Sequence, residues 1–145
     1  MEGDTIFELM EKNENIVAKH QSPLALAFLG DAVYELLVRE LVINSGFMSA
    51  HMLHKKSIGF VNALSQAKAV DIILPVLTDE EKVILKRGRN AHGNNVPKNV
   101  SDFDYRKATG LEALFGYLYL NRELKRISEL FDIICVKSDL IKSLK

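Results

Sequence analysis

Apolar residues recur at helical spacing through most of this 145-residue chain, and no segment alternates between apolar and polar positions as a strand does. Asn, Gly and Pro residues interrupt the apolar segments and mark where helices should begin and end. The pattern predicts one all-α domain of five helices, at about residues 23–42, 49–74, 79–89, 102–120 and 122–135. A polar loop is expected over residues 90–101.

The first predicted helix carries few charges. Between Leu24 and Val38 its only charged residues are Asp31 and Glu35, so its apolar residues extend almost all round. A helix that is apolar on nearly every side is typical of a protein core. We therefore expect this helix to be central and buried, beginning after a Ser22 cap.

Composition excludes several classes of protein. With 48% apolar and 26% charged residues, the chain has enough apolar surface to fold, which excludes disorder for most of its length. The longest apolar run covers residues 24–30, about a third of the ~20 residues that a membrane span needs. The acidic N-terminus does not fit a secretory signal, and a single Cys excludes an internal disulfide. We therefore expect a cytoplasmic protein that does not enter a membrane.

The net charge is zero, but the charges are unevenly distributed. Residues 50–110 hold ten bases and six acids, whereas residues 1–49 hold three bases and eight acids. The segment 86–98 reads KRGRNAHGNNVPK and has four bases and no acid. Such a segment is either a solvated loop or an anion-binding surface on a neutral protein.

Asp31 and Glu112 are carboxylates in apolar helices, where an ionised group is unfavourable unless something pairs with it. Gly30 precedes Asp31, and Gly116 lies one turn after Glu112. Gly inside a helix costs ~1 kcal/mol relative to Ala, which is understandable where two helix backbones pack closely. We therefore predict two crossing helices whose carboxylates face each other across a divalent cation, which prefers oxygen ligands. The alternative is a structural ion pair from each acid to a Lys or Arg.

Three motifs occur in order along the chain: FLGDAVYE at 28–35, RGRNA at 87–91 and LEALFGYLYL at 111–120. The first resembles the FLGD motif of the ribonuclease III family, and the last resembles that family's second motif. RGRNA at 87–91, followed by YRKATGLEAL at 105–114, is similar to the short Mini-ribonuclease III branch, which lacks the appended double-stranded-RNA-binding domain. The resemblance covers about residues 20–135 and implies a ribonuclease III helical bundle as the single domain of residues 1–145.

The resemblance implies an endoribonuclease that hydrolyses double-stranded RNA with Mg²⁺ and leaves 5′-phosphate and 3′-hydroxyl ends with a short 3′ overhang. Asp31 and Glu112 are then the catalytic residues and the metal ligands. The short branch is implied to trim the precursor of large-subunit (23S) ribosomal RNA in bacteria, with a ribosomal protein as a candidate partner. An overhang requires two sites across one duplex, so the resemblance also implies a homodimer. Residues that belong either to its interface or to the core are Leu26, Phe28, Leu29 and Val33.

Two positions depart from the full-length enzymes of the family. Those enzymes carry acids four residues before the first carboxylate and three residues before the second, where this chain has Ala27 and Thr109. Waters or the substrate phosphate must then complete the coordination of the cation, and the number of cations stays open. Thr109 and Glu35 are expected to support the ligands. Glu35 is otherwise a third ligand or the partner of Arg39 one turn later.

A-form RNA is recognised mainly by shape, through phosphates and 2′-hydroxyls, and the resemblance makes segment 86–98 the candidate RNA surface. Arg87 and Arg89 are expected to clamp phosphates, and Asn90 to donate to a phosphate or a 2′-hydroxyl. Gly88 and Gly93 are expected to let the backbone approach the RNA closely. The further RNA-binding candidates are Lys98, Lys55 and Lys56, with Arg106 and Lys107 as weaker ones.

Two other functions stay open. Ala27 and Thr109 are also consistent with a non-catalytic, helical RNA-binding factor of ribosome assembly whose nuclease site has decayed. Asp31 and Glu112 are consistent with a purely structural dimerisation domain if both acids form salt bridges.

Overall fold

The computed structural model of the chain describes residues 17–91 and 96–138, together with Thr5 and Leu144. Within these ranges it has no strand, which confirms the all-α prediction, and no helix long and apolar enough to cross a membrane. Short 3₁₀ turns occur at Ala18–His20 and Leu74–Val76. The α-helices are α1 (Pro23–Asn44), α2 (Ala50–Val61), α3 (Ala63–Ile73), α4 (Asp79–Arg89), α5 (Asp102–Leu120) and α6 (Leu124–Lys137).

Polar caps explain where most of these helices begin. Ser22 accepts a hydrogen bond from the Ala25 amide at the start of α1, as predicted. At the start of α4, Thr78 accepts from the Glu81 amide while the Glu81 carboxylate accepts from the Thr78 amide, which completes a capping box. At the start of α5, the Ser101 side chain accepts a hydrogen bond from the Asp104 amide. The predicted bounds of α4 and α5 are therefore confirmed.

The prediction of one long helix over residues 49–74 is wrong, because the chain breaks at Asn62. Asn62 is extended (ψ 157°), and its side-chain oxygen accepts from the Ser65 amide at 2.9 Å to begin α3. Its side-chain amide donates to the carbonyls of Ile58 and Gly59, which end α2. One Asn thus caps both helices, and apolar residues on either side keep a common periodicity that hides the break.

Helix α5 lies at the centre of the fold. Its residues Leu111, Leu114 and Phe115 are fully buried, and α1, α3 and α4 all pack against it. The buried ring of Tyr34 in α1 contacts Phe115 of α5 edge-on at 5.3 Å between centroids. It makes the same kind of contact at 5.7 Å with Phe131 of α6, so one aromatic cluster joins three helices.

Helix α1 is central but only half covered, which corrects the expectation that it is buried all round. Tyr34 and Val38 face the core, whereas Phe28 is 84% exposed and Leu36 is 67% exposed. The reason is that the neighbouring helices of the same chain pack against one side of α1 only. Among the candidate interface residues, Leu26 belongs to the core, Phe28 faces outward, and Leu29 and Val33 are half-buried.

Candidate active site

Helices α1 and α5 cross with their backbones in contact. A Cβ placed on Gly30 would lie 1.6 Å from the carbonyl oxygen of Glu112, and one placed on Gly116 would lie 2.0 Å from the carbonyl oxygen of Leu26. Both positions therefore require Gly, which confirms the predicted close packing of the two helices. The crossing brings Asp31 of α1 next to Glu112 of α5.

These two carboxylates line one cleft of about 190 Å³ between α1 and α5. Asp31 is exposed at its rim, and Glu112 is half-buried. The other residues that line the cleft are Leu24, Ala27, Phe28, Tyr105 and Thr109. Ala27 and Thr109, the two positions without the expected acids, therefore belong to the same cleft as the two acids that remain.

The electrostatics of the cleft favour an added positive charge. Burial, together with the charge and hydrogen bonding of neighbouring Asp31, raises the pKa of the Glu112 carboxyl to about 8. Across residues 17–91 and 96–138, neither Asp31 nor Glu112 forms an ion pair with a Lys or Arg. The alternative of two structural salt bridges therefore has no support in the described part of the chain.

The donor set fits a hard divalent cation that keeps most of its water. Two facing carboxylates without a cationic partner are a typical ligand pair for Mg²⁺, which is commonly held by one or two carboxylates plus waters and substrate phosphate. In the described ranges no group of three or more His, Cys, Asp or Glu residues is placed to hold a metal ion. Asp31 and Glu112 alone would hold the cation, with waters or phosphate as the remaining ligands.

Glu35 lies outside the cleft lining. Its carboxylate accepts two hydrogen bonds from Arg39, at 3.2 Å from Nε and 2.7 Å from Nη2. The structure thus shows the i,i+4 pair that was one of the three interpretations of this residue. Thr109 does line the cleft, and its hydroxyl donates to the main-chain carbonyl of Tyr105 at 3.0 Å.

The predicted RNA surface divides into exposed residues and residues that hold the fold. Arg89, Asn90 and Lys98 are exposed. Arg87 is half-buried, and its guanidinium donates to the main-chain carbonyls of Lys19 and Gln21, each at 3.2 Å, so it holds the segment before α1 against α4.

Gly88 is not available to approach RNA, because it is buried between α4 and α5. A Cβ on Gly88 would lie 2.9 Å from the Cα of Gly110 and 2.7 Å from the Ala113 side chain, so this Gly serves helix packing instead. The expectation for Gly88 is therefore wrong, and Gly93 lies outside the described residues.

A groove of about 610 Å³ joins the exposed end of α4 to the start of α1. Lys86, Arg87 and Asn90 border it, and Leu24 lines both this groove and the acidic cleft. The groove at the basic end of α4 and the cleft that holds Asp31 and Glu112 thus share Leu24 as a lining residue.

The remaining basic candidates for RNA binding lie on α2 and α5. Lys55 is exposed and Lys56 half-buried on α2. Arg106 pairs with Asp102 at 2.8 Å, and Lys107 pairs with Asp71. Arg106 and Lys107, the weaker RNA candidates of the sequence, thus each pair with an acid of the same chain.

Tyr105 is a cleft residue that the sequence reasoning missed. Tyr105, Thr109 and Glu112 follow the i, i+4, i+7 spacing that places residues on one face of a helix. That spacing was readable in the sequence once Glu112 was singled out, and it indicates the third side chain of the same face.

Comparison with known proteins finds related sequences and a related structure. A sequence model of the ribonuclease III domain matches residues 24–123. The Mini-ribonuclease 3 of Symbiobacterium thermophilum is 43% identical over 107 residues, which cover 74% of this chain and 82% of that protein. The Mini-ribonuclease 3 of a Thermoanaerobacter species is 45% identical over 112 residues, with 77% and 79% coverage. The crystal structure of a protein from Fusobacterium nucleatum superposes with a TM-score of 0.73 at 34% identity, covering 80% of this chain and 93% of that one.

Proposed function

This chain belongs to the ribonuclease III family and is an endoribonuclease of double-stranded RNA, and from that premise we propose that its reaction depends on Mg²⁺ held by Asp31 and Glu112. The observation that supports the proposal is the contact of these two carboxylates in a cleft where no Lys or Arg of the described residues pairs with them. We further propose that the substrate is the precursor of 23S ribosomal RNA in the cytoplasm.

The reaction is hydrolysis of a phosphodiester. Water loses a proton as its oxygen adds to phosphorus, the bond from phosphorus to the ribose 3′-oxygen breaks, and that 3′-oxygen takes up a proton. The products are a 5′-phosphate and a 3′-hydroxyl. A divalent cation supplies Lewis acidity toward the phosphate and makes water a nucleophile at neutral pH. Asp31 and Glu112 would hold and orient the cation, and Leu24 and Phe28 form an apolar part of the cleft lining.

The exposed end of α4 is the proposed contact surface for the RNA backbone. Arg89, Asn90 and Lys98 supply charge and amide groups that suit phosphates and 2′-hydroxyls of an A-form helix. Lys55, which is exposed on α2, is a further proposed contact. Arg87 has a structural role in this proposal, because its guanidinium already donates to two main-chain carbonyls.

The uncovered face of α1 is the proposed interface of a homodimer. Phe28, Leu36 and Ile43 are exposed along this face at 60% or more of their surface. Members of the family usually form dimers, and two copies place two clefts on one duplex, which produces a staggered cut. A ribosomal protein that shapes the precursor RNA is the proposed source of additional specificity.

The deciding experiment compares the wild-type protein with Asp31→Asn on a long double-stranded RNA, with Mg²⁺ and with EDTA. Asp71→Asn is the matched control, because it removes an exposed carboxylate that pairs with Lys107 outside the cleft. We expect cleavage by the wild type and by Asp71→Asn with Mg²⁺ only, and no cleavage by Asp31→Asn. Cleavage by Asp31→Asn would show that the site is elsewhere.

The same assay with a 23S precursor tests the substrate. Cutting at a unique position in the precursor, with weak cutting of generic duplex, is the result expected of a processing enzyme. RNA binding in EDTA without cleavage of either substrate would instead favour the non-catalytic ribosome-assembly factor.

A further inference from the structure

The cleft between α1 and α5 contains a neutral hydrogen-bond donor that the proposed function does not use. Tyr105 lines the cleft together with Asp31 and Glu112, and it lies two turns before Glu112 on the same face of α5. It is half-buried, so its ring is held against the protein while part of the side chain reaches the open space.

The other polar groups of the cleft are not available as donors. Asp31 and Glu112 serve as acceptors when they bind a cation, and Thr109 already donates its hydroxyl proton to the carbonyl of Tyr105. The remaining lining residues, Leu24, Ala27 and Phe28, are apolar. Tyr105 makes no side-chain hydrogen bond to any described residue, so its hydroxyl is the donor that the cleft offers to a substrate.

A donor of this kind would stabilise the transition state of the proposed reaction. Negative charge develops on the non-bridging phosphate oxygens as water adds to phosphorus, and a fixed donor aimed at those oxygens stabilises the transition state more than the ground state. With only two carboxylates in the cleft, the phosphate itself is expected to come close to the cation and therefore to the α5 face that carries Tyr105.

We propose that Tyr105 is a further catalytic residue, whose hydroxyl donates a hydrogen bond to a non-bridging oxygen of the scissile phosphate. This inference rests on the proposed function, because it takes the cleft of Asp31 and Glu112 as the place of cleavage. Removal of one donor of this kind typically lowers the rate of the chemical step about 100-fold.

The test is Tyr105→Phe, which deletes the hydroxyl and keeps the ring. Tyr119→Phe is the matched control, since Tyr119 lies on the same helix, stacks on Arg122 and does not line the cleft. Single-turnover cleavage with Mg²⁺ gives the rate, RNA titration in EDTA gives the affinity, and thermal unfolding reports the fold. We expect Tyr105→Phe to cleave about 100-fold more slowly with unchanged affinity and melting temperature, and Tyr119→Phe to match the wild type.

A sulfur-substituted substrate identifies the partner of the hydroxyl. Replacing one non-bridging oxygen of the scissile phosphate by sulfur weakens a hydrogen bond to that atom, so at one of the two positions the rate loss should be smaller in Tyr105→Phe than in the wild type. A wild-type rate in Tyr105→Phe overturns the inference alone, as does an equal loss of affinity and rate. If the wild type fails to cleave with Mg²⁺, the proposed function and this inference fall together.

Discussion

The Cα of Gly30 and the main-chain carbonyl of Glu112 are in contact, so close that a methyl group on Gly30 would lie 1.6 Å from the carbonyl oxygen. This contact sets the separation of α1 and α5. Because Asp31 follows Gly30 and the other partner is Glu112 itself, the same contact fixes the distance between the two carboxylates. Helix packing and the geometry of the proposed active site therefore depend on one pair of residues.

Gly30→Ala should destabilise the protein and abolish its activity. Overpacking typically costs about 1–3 kcal/mol, and here the obstructing atoms are backbone atoms of α5, which cannot rotate away, so we expect the upper end or more. Gly59→Ala is the control, because nothing lies within 4 Å of the added methyl group and Ala favours the helix by ~1 kcal/mol. Urea unfolding should show a loss of stability for the first variant and a gain for the second. Equal stabilities would contradict the contact.

Mg²⁺ should stabilise the folded protein through the two carboxylates. A ligand that binds only the folded state adds RT ln(1 + [L]/Kd), about 1.4 kcal/mol at ten times Kd. Thermal unfolding of the wild type and of Asp71→Asn should therefore shift upward with Mg²⁺ and return in EDTA. Asp31→Asn and Glu112→Gln should show little shift. An undiminished shift in both would place the cation outside the cleft.

Glu81 should control the acid stability of the fold. Burial acts to raise its pKa, but hydrogen bonds from Arg126 and from the Thr78 backbone outweigh burial, so the pKa lies below its ordinary value of 4.5. A lowered pKa contributes stability that is present above pH 4.5 and is lost as the pH falls through the folded-state pKa.

Removing this charge tests the sign of the effect. Glu81→Gln leaves the half-buried Arg126 without its main partner, which we expect to cost about 2–4 kcal/mol at neutral pH and to flatten the loss of stability below pH 4.5. Glu35→Gln breaks an exposed i,i+4 pair instead and should cost about 0.3–0.5 kcal/mol. Chemical unfolding at neutral and acidic pH measures both. If Glu81→Gln lost stability more steeply below pH 4.5 than the wild type, the lowered pKa of Glu81 would be contradicted.

The sequence predicted the crossing of α1 and α5 better than it predicted the surfaces around that crossing. The paired positions of Gly30 with Asp31 and Gly116 with Glu112 indicated two closely packed helices, because close backbone packing accounts for the cost of a Gly inside an apolar helix. The ends of α4 and α5 were predictable from their caps. By contrast, the break at Asn62 depends on side-chain hydrogen bonds that leave the apolar periodicity unchanged.

Tertiary contacts decided the roles of residues that composition alone made equivalent. Arg87 and Arg89 are neighbours in one basic segment, yet Arg87 donates to backbone carbonyls of Lys19 and Gln21 while Arg89 is exposed. Lys19 and Gln21 lie far from Arg87 in the sequence, so no local pattern distinguishes the two arginines. The exposed side of α1 could not be predicted for the same reason. Its apolar residues do not show which of them pack against the other helices of the chain.

The exposed face of α1 should hold two copies together. Leu36→Glu places a charge on this face outside the cleft lining, and we expect it to give monomers by light scattering and to lower cleavage of duplex RNA. Val136→Glu is the control, because Val136 is an exposed apolar residue of α6, on another part of the surface. Monomers of the wild type, or dimers of Leu36→Glu, would contradict an interface on α1.

Arg89 and Arg87 should affect RNA binding in different ways. If Arg89 contacts a phosphate, Arg89→Ala should weaken binding at low salt and lower the slope of log affinity against log salt by about one, with stability unchanged. Arg87→Ala removes two hydrogen bonds to the segment before α1, so it should lower the stability of the fold by about 1–3 kcal/mol and leave the salt slope nearly as it is.

RNA titrations at several salt concentrations, performed in EDTA to prevent cleavage, measure the slopes, and urea unfolding measures the stabilities. A reduced slope in Arg87→Ala with normal stability would assign the phosphate contact to Arg87 instead. An unchanged slope in Arg89→Ala would remove Arg89 from the RNA surface.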